Sequence, residues 1–87
     1  MNVARTERFK RAYQALPLRE RERVKKAVAL MLEQGLRYPG LHAKRIKGTA
    51  SIREARVSRG CRLTFQIDGD TIVLRNVGEH DATLKRP

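Results

Sequence analysis

Between Cys61 and Ile67 apolar and polar residues alternate without a break, with Cys61, Leu63, Phe65 and Ile67 set against Arg62, Thr64 and Gln66. A period of two belongs to a strand buried on one face, and it excludes a helix here, whose apolar positions recur at about 3.6 residues. Asp68-Gly69-Asp70 then supplies an Asp-Gly turn and Thr71–Val77 returns as a second β-rich run, so the stretch predicts a hairpin. Upstream, Ile52–Val57 is separated from Cys61 by the loop Ser58-Arg59-Gly60 and adds another strand. A meander from Ile52 to Asp81 is therefore the frame on which the rest of the chain must pack.

The same alternation sorts the polar residues. If Ala55 and Val57 enter the core with Leu63 and Phe65, then Glu54, Arg56 and Arg62 face outward together, while Arg53 points the other way. Just past the last strand Gly78 frees the backbone, and His80 and Asp81 stand at its exit. Two arginines, a carboxylate and a histidine are thus expected to converge on one open surface.

N-terminal to the meander the period changes. Thr6 is a plausible N-cap with Glu7 in the first turn, and Phe9, Ala12, Tyr13 and Leu16 recur at helical spacing before Pro17. A longer helix is predicted from Leu18 to Gln34, with Val24, Ala27, Val28, Met31 and Leu32 as its apolar stripe and Gly35 as its C-cap. Its outer face, RERERVKK, mixes both signs and reads as a solvated surface held by i,i+4 pairs. Residues 1–5 read as a short strand or as disordered. Residues 36–42 form a linker with a turn at Pro39-Gly40, and Ala43–Lys47 reads as a further strand or strand approach closed by Gly48. The order of elements predicts an α+β domain in which an N-terminal helical hairpin packs on one face of a small, mostly antiparallel β-sheet. The other face is expected to remain polar and basic.

At 87 residues the chain is one domain, 1–87, with no room for a second. Its formal net charge of +11 is spread over both halves, which points to a polyanion, most often nucleic acid, or to an acidic protein partner. One cysteine and no signal-peptide pattern argue against a disulfide framework and secretion, and no apolar run approaches membrane-spanning length. A cytoplasmic protein is expected. His42, His80 and Cys61 do not offer a metal-ligand spacing, so neither metal nor cofactor is expected.

Four phrases now carry a resemblance: Phe9-x-x-x-Tyr13-x-x-Leu16-Pro17, Pro39-Gly40-Leu41-x-x-Lys44-Arg45-Ile46-Lys47-Gly48, Arg56-Val57-x-x-x-x-Arg62-Leu63 and Val77-x-x-His80-Asp81. In this order and at similar spacing they resemble the RelE/ParE superfamily of bacterial toxin–antitoxin toxins, over nearly the whole chain. The RelE-like branch implies a ribosome-dependent endoribonuclease that cuts mRNA in the ribosomal A site and is held inactive by a cognate antitoxin. The ParE-like branch implies a DNA gyrase inhibitor without nuclease chemistry. Both share the fold, and both imply an acidic, partly disordered antitoxin that folds onto the basic surface.

Cleaving RNA without a metal needs a base for the 2′-OH, cations for the phosphorane and an acid for the 5′-oxygen. Arg62 matches the arginine of the family's R-V-x-x-x-x-R phrase, and its planar guanidinium suits a phosphate. Arg56 is a second phosphate contact unless it pairs with Glu54. Glu54 is a candidate general base, as a glutamate is in YoeB-like relatives, or the partner of Arg56. His80 aligns where relatives carry a histidine or an arginine; because an unperturbed imidazole exchanges its proton near neutrality, the residue type is apt for a general acid, or else this is a turn histidine bonded to Asp81. Arg53, Lys44, Lys47 and Asp81 complete the set expected to contact substrate. The sequence departs from the family at Leu84, where many nuclease members carry a tyrosine or phenylalanine. The aromatic residues are Phe9, Tyr13, Tyr38 and Phe65, of which Phe9 and Phe65 read as core, so either catalysis runs on Arg62, Arg56 and His80 without a stacking ring, or activity is weak, or Tyr38 serves from the linker. Arg75 stands at a usually apolar position.

Overall fold

The computed structural model describes residues 1–87. The chain runs β1 (Asn2–Arg5), α1 (Glu7–Gln14), α2 (Leu18–Gln34), a 3-10 turn (Pro39–Leu41), β2 (Lys44–Arg45), β3 (Arg53–Ser58), β4 (Cys61–Asp68), β5 (Thr71–Glu79) and α3 (His80–Lys85). The five strands form one sheet in the order β1-β5-β4-β3-β2. Only β1 runs parallel to its neighbour, β5, and the other pairs are antiparallel. The predicted α+β class and mostly antiparallel sheet are what the chain forms, and residues 2–5 take the strand alternative.

Local chemistry sets the boundaries. Thr6 accepts a hydrogen bond from the Phe9 amide at 3.0 Å, filling one of the orphan donors of the first helical turn. Pro17 separates the two helices, and Gly35 ends α2 at φ 83, a conformation glycine adopts without steric cost. In the β4–β5 turn Gly69 sits at φ 60 in the first central position, the place a type II′ hairpin turn reserves for glycine.

On the helical face of the sheet Phe9, Val24, Ala27 and Met31 meet Leu63, Phe65, Ile72 and Leu74 in a single buried cluster. Leu63, Phe65 and Ile72 have no exposed surface. Leu32 departs from the expected stripe: it is 44% exposed and lines a groove between α1, α2 and β1.

Two features of the opposite face differ from expectation. Thr64 pairs with Asn76 but Phe65 pairs with Leu74, so Arg75 is an extra residue in β5, a β-bulge. The bulge lets Leu74 and Val77 both reach the core while Arg75 turns to the polar side. There its Nη1 donates to Gln66 Oε1 at 2.6 Å and its Nε to the Pro87 carbonyl at 3.3 Å. This accounts for a charged residue at a usually apolar position.

The polar face is also not left open as predicted. α3 and the residues after it lie over β4 and β5, where the fully buried Thr64 donates its hydroxyl to Pro87 O at 2.9 Å and Asn76 Nδ2 donates to Arg86 O at 3.1 Å. Gly78 permits the approach, since a Cβ there would stand 3.1 Å from Thr83 Oγ1. His80 and Asp81 therefore belong to the first turn of a helix rather than to a loop. The Glu79 carboxylate caps it, accepting from the Ala82 amide at 2.9 Å and the Asp81 amide at 3.0 Å. These two bonds hold Glu79 below the usual carboxylate range.

Candidate active site

The uncovered part of the polar face carries a pocket of about 400 Å³ lined by His42, Ala43, Lys44, Glu54, Arg56, Arg62 and His80. Strand register assembles it. Lys44 is the cross-strand partner of Glu54, and Arg56 is the partner of Arg62, so all four side chains leave the same face. Arg62 has Gly78 opposite it on β5, which places no side chain over the guanidinium from that strand. His80, the first residue of α3, closes the side nearest the sheet's end.

Glu54 forms the floor at 7% exposure, and its ion-pair partner is Arg62, with Nε 3.9 Å from Oε1. That separation is too long for a hydrogen bond, so the carboxylate keeps its lone pairs free while sitting beside a cation. The anticipated Glu54–Arg56 pair is not formed. Residues i and i+2 on one strand are about 6.6 Å apart along it, whereas Arg62 lies diagonally across from Glu54 within reach.

Arg62 is held in place by its own turn. Its Nη1 donates to the carbonyls of Ser58 (2.7 Å), Cys61 (3.1 Å) and Arg59 (3.2 Å). One nitrogen of the fork is thus committed to the β3–β4 turn. Arg56 is half-buried with neither ion pair nor hydrogen bond, a cation available to an anion from outside.

His80 Nδ1 lies 2.9 Å from Asp81 Oδ1. An ionised carboxylate only accepts, so Nδ1 carries the proton and Nε2 is left to take or give one. Asp81 is 80% exposed and acts on the ring, not on the pocket.

Of the residues singled out in the sequence, the structure brings together Glu54, Arg56, Arg62, His80 and Lys44, with Asp81 behind His80. Arg53 and Lys47 do not line the pocket. Arg53 is in register with Phe65 and Arg45, on the helical side of the sheet at its exposed end, and Lys47 lies in the turn after β2. Leu84 is half-buried on α3 and is also outside the lining. Sequence reasoning missed His42. It follows the Pro39–Leu41 turn with φ 47 and ψ 40, a left-handed conformation that is uncommon for a residue with a Cβ, and no periodicity marks it.

Behind the pocket, Cys61 is buried and its thiol is pushed up to about 12 by burial, by a hydrogen bond to Glu20 and by that carboxylate's charge. Burial works to raise Glu20 as well, but hydrogen bonds from Arg23, Ser58 and Cys61 outweigh it and hold Glu20 below the usual range. A raised thiol contributes stability that is complete below the unfolded value of 9.0 and is lost as pH rises toward about 12. Native protein at pH 9–10 should therefore resist iodoacetamide, and denaturant should expose one reactive thiol. Rapid alkylation of the folded chain would contradict this placement.

Neither a protein-family model nor a curated protein matches the sequence. Solved structures do share the fold. YafQ from E. coli superposes with a TM-score of 0.78 at 14% identity, covering 93% of this chain and 94% of YafQ. A YoeB dimer from Staphylococcus aureus gives 0.77 at 13% identity over 92% of this chain and 97% of that one. RelE in the RelB–RelE antitoxin–toxin complex from Methanococcus jannaschii gives 0.76 at 21% identity, with 97% and 99% covered. The chain thus has the RelE-like toxin fold, as the four sequence phrases imply.

Proposed function

We propose that the chain is the toxin of a type II toxin–antitoxin pair and a ribosome-dependent endoribonuclease that cuts mRNA in the A site. The observation that carries this reading is the pocket itself: a buried carboxylate, an oriented imidazole and three cationic side chains on one face of a fold shared with RelE, YoeB and YafQ. In this reading Glu54 takes the proton of the 2′-OH, and the 2′-oxygen attacks the adjacent phosphorus. The bond from phosphorus to the 5′-oxygen breaks, His80 Nε2 protonates that oxygen, and a 2′,3′-cyclic phosphate remains. Arg62, Arg56 and Lys44 hold the non-bridging oxygens as charge builds on them. Asp81 positions His80. Lys47 and Arg53, outside the pocket, are left to contacts with flanking RNA.

The partner in this reading is an acidic antitoxin. RelE and YafQ have been solved with RelB and DinJ. The groove between α1, α2 and β1 has a volume of about 400 Å³, an apolar lining including Val3, Val28 and Leu32, and Arg5 and Lys25 at its edges. An amphipathic helix with acidic flanks fits such a surface, and its binding should weaken with salt.

Two observations favour a second reading, a gyrase inhibitor that works by contact alone. Arg62 spends one nitrogen on three carbonyls of its own turn, and Leu84 supplies no aromatic side chain to the pocket. The readings separate on induction of the wild-type chain and His80→Ala in cells, with protein synthesis and plasmid supercoiling followed together. The nuclease reading expects synthesis to stop at once with the wild type and to continue with His80→Ala. Equal growth arrest by both, with loss of supercoiling, would establish the alternative.

A further inference from the structure

Arg56 lines a second pocket as well as the first. On its other side, between α2, the Pro39–Leu41 turn and β3, is a cavity of about 290 Å³. Its cations are Arg56, Arg23 and Lys26, and its apolar floor includes Leu30, Leu41 and Val57. Arg23 is partly neutralised by Glu20, at 2.6 Å from its Nη1, whereas Lys26 and Arg56 have no carboxylate partner. Gly40 also lines the cavity, and a Cβ there would meet Tyr38 Cε2 at 3.0 Å. Tyr38 is not itself part of the lining, but glycine at position 40 leaves room for its ring, 38% exposed, to lie against this lining residue.

From this juxtaposition we infer that the cavity is a nucleotide subsite for single-stranded RNA. A base enters over the apolar floor beside Tyr38, and the adjoining phosphate meets Lys26 and Arg56. An apolar floor with a cationic rim, and an aromatic ring next to lining residue Gly40, matches the two parts of a nucleotide, since unpaired bases are splayed out and stacked while phosphates are neutralised by Lys and Arg. An acidic peptide would satisfy the rim but would leave the floor and the ring unused. Arg56, shared by both pockets, joins this subsite to the cutting site, so the chain held here is continuous with the one cleaved. The Leu84 departure then has a counterpart: the aromatic contact missing from the cutting pocket is supplied one subsite away. The inference rests on the reading of the chain as an RNA-binding toxin.

The test uses a fully 2′-O-methylated, fluorescein-labelled hexanucleotide, which cannot be cleaved, with binding to the purified full chain read by anisotropy across a salt series. Tyr38→Ala is expected to weaken binding about 10-fold. Lys26→Glu should do so by at least as much, and Lys26→Ala should lower the salt slope by about 0.7. A 4-thiouridine in the oligonucleotide should photo-cross-link to Tyr38. Wild-type affinity and salt slope in these variants overturn the subsite, as does absence of binding by the wild type. So does a Lys26→Glu loss confined to an acidic peptide. If the variants behave as expected but programmed ribosomes are not cut, the subsite stands and the nuclease reading falls. If cutting proceeds normally with Tyr38→Ala and Lys26→Glu, the reverse holds.

Discussion

Arg62→Ala is expected to slow ribosome-dependent cutting by about 10²–10³-fold, the usual cost of removing one preorganised group that stabilises developing charge. The guanidinium is placed before substrate arrives. Its Nη1 is tied to the Ser58, Arg59 and Cys61 carbonyls and its Nε faces Glu54 at 3.9 Å, so little ordering remains when a phosphate arrives. The same ties make Arg62 a structural residue, and the substitution must be separated from simple loosening of the β3–β4 turn. Arg62→Lys does this: it keeps a charge but loses the planar fork, and should recover only a small part of the rate. Single-turnover cutting alongside the circular dichroism melt distinguishes the two roles. A variant that melts like the wild type and cuts at the wild-type rate would remove Arg62 from the chemistry.

Phe65→Ala should be the most damaging core change, at about 3–5 kcal/mol. The ring is fully buried in the cluster shared by α1, α2 and the central strands. A domain of 87 residues has roughly 4–13 kcal/mol of stability in total, so the loss removes a large share of it. Urea unfolding should show a lower midpoint with an unchanged slope. Leu32→Ala, at a position 44% exposed, should cost far less. Equal effects at the two positions would mean that the core is not centred on β4.

The parts of the fold legible in the sequence are those that repeat. The alternation from Cys61 to Ile67 and the stripe of α2 each mark one face over several residues, and the face assignment of Glu54, Arg56 and Arg62 follows from the same period. What was hidden lacks a repeat. α3 is six residues long, too short for an apolar period, and its cap is a glutamate, where Ser, Thr, Asp or Asn is the commoner signal. The bulge at Arg75 shifts the count by one residue, which no local pattern announces. The Glu54–Arg62 approach depends on a diagonal across two strands, so the sequence equally allowed Glu54 to pair with Arg56 on its own strand. His42 lines the pocket from a left-handed conformation of its own, just after the Pro39–Leu41 turn, which no local pattern announces. The sequence thus indicated which side chains share a face, and the structure added which of them touch.

The most direct test of the central claim is to map and chemically identify the cut in a defined mRNA bound to purified ribosomes and treated with the wild-type chain. The proposed chemistry predicts a break within the A-site codon, with a 2′,3′-cyclic phosphate on the upstream fragment and a free 5′-hydroxyl on the downstream one. Intact mRNA under conditions where the protein arrests growth, or a cut that leaves a 5′-phosphate, would contradict attack by the 2′-oxygen in the Glu54–Arg62–His80 pocket.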